Sequence, residues 1–169
     1  MNLKVKRNQK GGALVETAML MPIVMALLIG TIELGRVIYT YYMLQKVTFT
    51  LARYLGTQQG VNFCDSGDAN VQAAINYALT GTTDSADNPV VPGLTPSNFQ
   101  ISIERFDPIA QQIVPCDCSS TGCDASVGGL PPDFIVVSLT NFNVQPVFWG
   151  FAVDPFPLRP SVRVPYGGT

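Results

Sequence analysis

Between residues 13 and 32 the chain is apolar except for small and hydroxyl side chains, and Glu16 is the one charge in it. Roughly 20 predominantly apolar residues suffice for a helix to cross the hydrocarbon core of a bilayer, so this stretch predicts a membrane span. The helical pattern continues past it. Leu34, Val37, Tyr41, Leu44, Thr48, Leu51 and Leu55 recur at alternating steps of three and four residues, which places them on one stripe of a continuing helix. Gly56 and Gly60 supply stops. A helix from Gly12 to Leu55 would extend about 66 Å at 1.5 Å per residue, and roughly half of it would project beyond the core. The projecting stripe must then bury itself under the chain's own domain or meet a partner helix. Pro22 inside the span removes one backbone donor and crowds the carbonyl of Ala18, which favours a kink that membrane helices tolerate.

After Gly56 the pattern changes. Residues 69–79 read as a short amphipathic helix with Val71, Ile75 and Leu79 on one face and Asp68 as N-cap. Residues 81–96 form a polar loop punctuated by Pro and Gly. Residues 99–103 alternate as a strand should, and 134–139 are a β-branched run suited to a buried strand. Residues 161–164, bounded by Pro160 and Pro165, add an edge strand. A long helix feeding a small antiparallel sheet is an α+β arrangement. The expected organisation is a basic leader over residues 1–11, a transmembrane and extended helix over 12–56, and an α+β domain over 57–169. Residues 146–160 carry Phe148, Trp149, Phe151 and Phe156 among four prolines, either as a loop covering the core or as an exposed contact patch.

Charge sets the orientation. Lys4, Lys6, Arg7 and Lys10 precede the span with no acid among them, whereas all twelve acids follow Lys10. The positive-inside rule keeps the amino end in the cytoplasm, so the C-terminal part is exported and acidic. An acidic domain is a poor ligand for nucleic-acid phosphates, and nucleic acid is dropped as a partner. The chain has no histidine, which excludes a Ser-His-Asp triad, a Cys-His dyad, an HExxH zinc site and imidazole acid–base chemistry. No paired-carboxylate motif or glycine-rich phosphate loop stands out, so no cofactor, small-molecule substrate or enzymatic role is expected.

Cys64, Cys116, Cys118 and Cys123 all lie beyond the span. An even count in an oxidising compartment favours two disulfides. Zinc is the rival, but C-x-C-x4-C lacks paired C-x2–4-C spacing and no histidine is available. Of the three pairings, the one joining Cys116 to Cys118 is least comfortable geometrically. A local bridge from Cys123 to Cys116 or Cys118 leaves Cys64 to tie the helical part to the sheet.

A cleaved secretory signal is the rival reading of the amino end, but the apolar run is longer than a signal h-region and no A-x-A-like site follows it. A basic leader ending in glycine, then an apolar helix with glutamate at its fifth position, resembles a type IV prepilin-class sequence. In that class a membrane prepilin peptidase cuts after the glycine, which implies a cut between Gly11 and Gly12 and makes Glu16 the fifth mature residue. The new ammonium at Gly12 would lie one helical turn from Glu16, giving the carboxylate a partner within the helix or between neighbouring helices. The rival is a Glu16 hydrated in the cytoplasmic headgroup region.

A wider pattern is similar to the TadE-like family of tight-adherence pilus pseudopilins. It comprises Glu16-Thr17-Ala18 with Pro22, then Ile32-Glu33-Leu34-Gly35-Arg36, then Ala52-Arg53-Tyr54. The family motif contributes Ala18, Pro22, Glu33, Gly35, Arg36, Ala52 and Arg53; Thr17 stands where an aromatic commonly follows the glutamate. The resemblance implies a minor pilin-like subunit of Flp-type pili, held in the bacterial inner membrane by a single pass, with its C-terminal domain in the periplasm. The implied partners are a prepilin peptidase, other pilins or pseudopilins, the pilus-assembly platform and membrane lipid. A signal-anchored adhesin or binding module would account for the anchor and the aromatic segment, but would not need the spacing of Gly11, Gly12 and Glu16. An anchored envelope enzyme would account only for the acidic domain.

Overall fold

The computed structural model describes residues 10–85, 87–145 and 155–168. Helix α1 (Lys10–Thr57) takes 48 of them and stays helical through Pro22. Its two halves have different surroundings. Residues 11–28 are exposed throughout, whereas Leu44, Val47, Thr48, Leu51, Ala52 and Leu55 are buried. The stripe expected from Leu34 is therefore shorter than the sequence pattern, since Leu34 is 60% and Tyr41 41% exposed. Steps averaging 3.5 residues drift by about 20° per heptad on a straight helix, so a stripe that faces the core at Leu51 has turned off it by Leu34. Thr48 is fully buried without cost to its hydroxyl, which donates to the Leu44 carbonyl at 2.8 Å.

Helix α2 (Ala69–Thr80) begins where Asp68 accepts from the backbone N–H groups of Asn70 and Val71, and ends at Gly81 in the left-handed conformation. It buries Val71, Ala74, Ile75, Ala78 and Leu79 and lays Tyr77 against Tyr54 of α1, ring centroids 5.2 Å apart. The loop that follows is less polar in role than in composition, because Val91 and Leu94 turn into the core.

The strands are β1 (Phe99–Asp107), β2 (Gln112–Pro115), β3 (Phe134–Leu139), β4 (Asn143–Val144), β5 (Phe156–Pro157) and β6 (Ser161–Pro165). Four of them make an antiparallel sheet in the order β2-β1-β3-β6, with β6 at one edge, and β4 pairs with β5 separately. Register puts the apolar side chains on one face: Ile103, Ile135 and Val164 are paired across the sheet, as are Ile101, Val137 and Val162. Ile135, Val137 and Leu139 are buried to within 1%, and they join Leu44, Leu51 and Leu55 of α1 in one core. Each such side chain contributes on the order of 1.5–3 kcal/mol when fully buried. The opposite face is mixed, with Phe106, Ile113, Phe134 and Val136 beside Gln100, Ser102 and Ser138, and with Arg163 and Glu104 paired at 2.7 Å.

The chain's C-terminal stretch closes the end of α1. The last carbonyls of a helix have no intrahelical partner. Gly167 N–H donates to the Gly56 carbonyl at 2.9 Å and the Tyr166 hydroxyl to the Gln58 carbonyl at 3.0 Å. Gly168 is buried so close to the Gln58 carbonyl that a Cβ would collide with it. Of the aromatic segment expected at 146–160, Phe148, Trp149 and Phe151 lie outside the described residues, and Phe156 in β5 is 45% exposed.

Candidate functional site

The peptide bond between Gly11 and Gly12 lies within α1, at the start of its described residues. Both glycines are exposed, and no atom lies within 4 Å of where a Cβ would stand on either. Each glycine is roughly 1 kcal/mol less favourable in a helix than alanine. Two in succession make this stretch of the helix easier to open. Glu16 is exposed one turn on, and neither of the two salt bridges among the described residues involves it. Thr17, the departure from the family pattern, satisfies its own hydroxyl by donating to the Ala13 carbonyl at 2.8 Å. Ala18 and Pro22 are exposed with the apolar side chains around them, from Leu14 at 72% to Leu28 at 53%. A contiguous apolar surface of that extent needs lipid or other helices to cover it.

Further along, Glu33 and Arg36 form an i,i+3 ion pair with Nε and Oε2 3.6 Å apart. Arg36 also donates from Nη2 to the backbone carbonyl of Gln145, directly after β4, and so ties α1 to a chain segment 109 residues away. Thr40, Pro92, Phe142 and Val144 complete the shallow cleft around that contact. Gly35 is exposed, with nothing near its Cα on the side a Cβ would take. Ala52 is fully buried in the core, whereas Arg53 is exposed beside a groove that Phe49, Tyr54 and Tyr77 also line. The motif residues are thus strung along one helix rather than gathered into a pocket. Some face outward, one is core, and one fastens the helix to the sheet-bearing half.

The four cysteines form two bridges, Cys64 to Cys118 and Cys116 to Cys123, with Cα separations of 5.6 and 5.8 Å. The first joins the segment after α1 to the loop after β2; the second closes that loop on itself. Arg105, which the sequence pattern did not mark, holds the same loop by donating from Nη2 to the carbonyls of Gly122, Leu130 and Pro131. Asn98 was also unmarked. It is buried, donates to the carbonyls of Thr140 and Asn141, and accepts from Thr95 N–H at 2.9 Å. Nothing in composition or periodicity distinguishes such residues from solvated ones, since the carbonyls to which their side chains donate are 17 to 43 positions away. Near the end of the chain, burial raises the Tyr166 hydroxyl above the ordinary tyrosine range, opposed by a hydrogen bond with the Val61 backbone.

A helix long and apolar enough to cross a bilayer, whose apolar run is left exposed by the described residues, leads into a disulfide-bridged α+β unit, an arrangement that supports a membrane-anchored protein. Residues 11–61 match the model of a family described as TadE-like protein, the family that the motif spacing resembles. That match spans α1 from its first turn through the Gly56 closure. No curated protein and no solved structure matches the chain.

Proposed function

We propose that this chain is a minor pilin-like subunit, a pseudopilin, that supports assembly of tight-adherence pili by packing its N-terminal helix against those of partner subunits and docking through its α+β unit. One observation carries the reading: the family match at residues 11–61 falls on a helix whose apolar stretch from 11 to 28 is exposed and covered by none of the described residues, with a carboxylate at Glu16. A carboxylate near the start of a plain anchor is merely hydrated in the headgroup layer, whereas in an assembling subunit with a new ammonium at Gly12 it gains a partner of opposite charge. In this reading a prepilin peptidase releases residues 1–11, the α+β unit lies in the periplasm, and no catalytic chemistry is involved.

The experiment is Glu16→Ala in cells that make the pili. The variant should insert, form both disulfides and melt as the parent does, because Glu16 is remote from the sheet. It should recover fewer partner pilins in crosslinking and lower the number of pili. Glu16→Asp should be intermediate, keeping the charge but losing a methylene of reach. Normal pili with unchanged crosslinks in Glu16→Ala would contradict the reading.

A further inference from the structure

The exposed apolar surface of α1 does not end with the charge-free stretch. Leu34, Ile38, Tyr39 and Tyr42 are 60%, 48%, 66% and 67% exposed. At about 100° per residue, Ile38, Tyr39 and Tyr42 lie on the side of α1 turned away from Leu44, Leu51 and Leu55. Lys46 is exposed one turn beyond Tyr42 on that same side. These are amphipathic side chains of the kind that settle at a membrane–water boundary, the tyrosines by ring and hydroxyl and the lysine by reaching along its stem to phosphate.

The axial distances fix where that boundary falls. A hydrocarbon core centred on residues 13–32 leaves Ile38, Tyr39 and Tyr42 in water and draws the Glu16 carboxylate inward, at a cost approaching ~2.5–3.5 kcal/mol towards the centre. Sliding the core about one turn, to residues 17–37, moves Glu16 out to the headgroup layer and brings Ile38, Tyr39 and Tyr42 to the opposite boundary, and in exchange it draws Glu33 about 6 Å and Arg36 about 1.5 Å inside that boundary. Glu16 and Tyr42 are then about 39 Å apart along the axis, close to the roughly 40–45 Å of a bilayer with its headgroup layers. Glu33 and Arg36 enter as an ion pair, and Arg36 also donates to the Gln145 carbonyl, so neither is drawn inward alone. The bond from Arg36 to Gln145 brings the segment after β4 within an arginine side chain's reach of this level.

We propose that Tyr39, Tyr42 and Lys46 form the belt that seats α1 in the headgroup layer remote from its N-terminus, so that the α+β unit rests against phospholipid rather than standing clear of it. The occupant is lipid because this surface is continuous with the span, its side chains are those of an interface, and its distance from Glu16 matches a bilayer. The inference rests on the membrane anchoring of α1 and not on a role in pili.

The test places a benzophenone amino acid, one position at a time, at residues 28, 39, 42 and 49 of the full chain in phosphatidylethanolamine–phosphatidylglycerol nanodiscs, and reads lipid adducts by mass after illumination. All four positions are exposed, and non-reducing mass mapping checks that both disulfides are present in each variant. Phe49 lies on the same side of α1, about 10 Å beyond Tyr42. Adduct yields at 39 and 42 should equal that at 28 and exceed that at 49 several-fold. Yields at 39 and 42 as low as at 49, or a yield at 49 as high as at 42, would overturn the belt. Loss of adduct at 28 as well would remove the span itself. Because no assembly protein is present, none of these outcomes bears on the pilus reading.

Discussion

Leu51 and Leu20 are the same residue type on the same helix, and their surroundings set opposite consequences for their removal. Leu51 is fully buried and Leu20 is 58% exposed. Leu51→Ala should cost roughly 2–5 kcal/mol, as core leucine truncations do, whereas Leu20→Ala should leave thermal unfolding of the α+β unit in detergent unchanged. Equal melting shifts for the two variants would contradict the division of α1 into a core half and an uncovered half. Tyr166 makes a second residue-scale case. Burial raises its hydroxyl, so the folded state holds the proton more tightly than the unfolded state does. The stability it contributes is therefore full below the ordinary tyrosine value of about 10 and is lost as pH rises through the higher folded value. Tyr166→Phe, measured by denaturant midpoints from neutral pH upward, should lower stability near neutrality through the lost bond to the Gln58 carbonyl and flatten the alkaline decline. A parallel decline in parent and variant would show that other groups govern it.

Among the elements, the two disulfides differ most in the length of chain they close, 54 positions against 7. In the chain-entropy description, closing the longer loop restricts the unfolded chain by roughly 4 kcal/mol and the shorter by roughly 2. Replacing Cys64 and Cys118 together by serine should thus lower the denaturation midpoint more than replacing Cys116 and Cys123 together; the reverse order would show that the local loop has a larger part in the native packing. Which elements the sequence revealed follows from the range of the signals. Helix α2 was legible because Asp68, the spacing of Val71, Ile75 and Leu79, and Gly81 are all local. The β3 strand was legible because its β-branched run is continuous. The β2 strand and the paired β4 and β5 were not, being two to four residues long and defined only by their partners. The same holds for Arg36: its place in a motif was readable, but its bond to Gln145 depends on a fold that brings β4 down onto α1.

At the scale of the whole molecule, the chain is a long helix clothed on one half and bare on the other. The clothed half is self-sufficient: a common core, two bridges and a closed helix end. The bare half is not, and the account assigns its first part to lipid before assembly and to neighbouring helices afterwards. In the proposed function, maturation leaves an N-terminus at Gly12, and its ammonium supplies Glu16 with a partner of opposite charge one turn away. The most direct test is the intact mass and N-terminal sequence of the protein extracted from membranes of cells with an active prepilin peptidase. The account predicts a chain that begins at Gly12 and carries two disulfides, and a leader retained when Gly11 is replaced by a bulky residue. A native chain that still begins within residues 1–11 would contradict it.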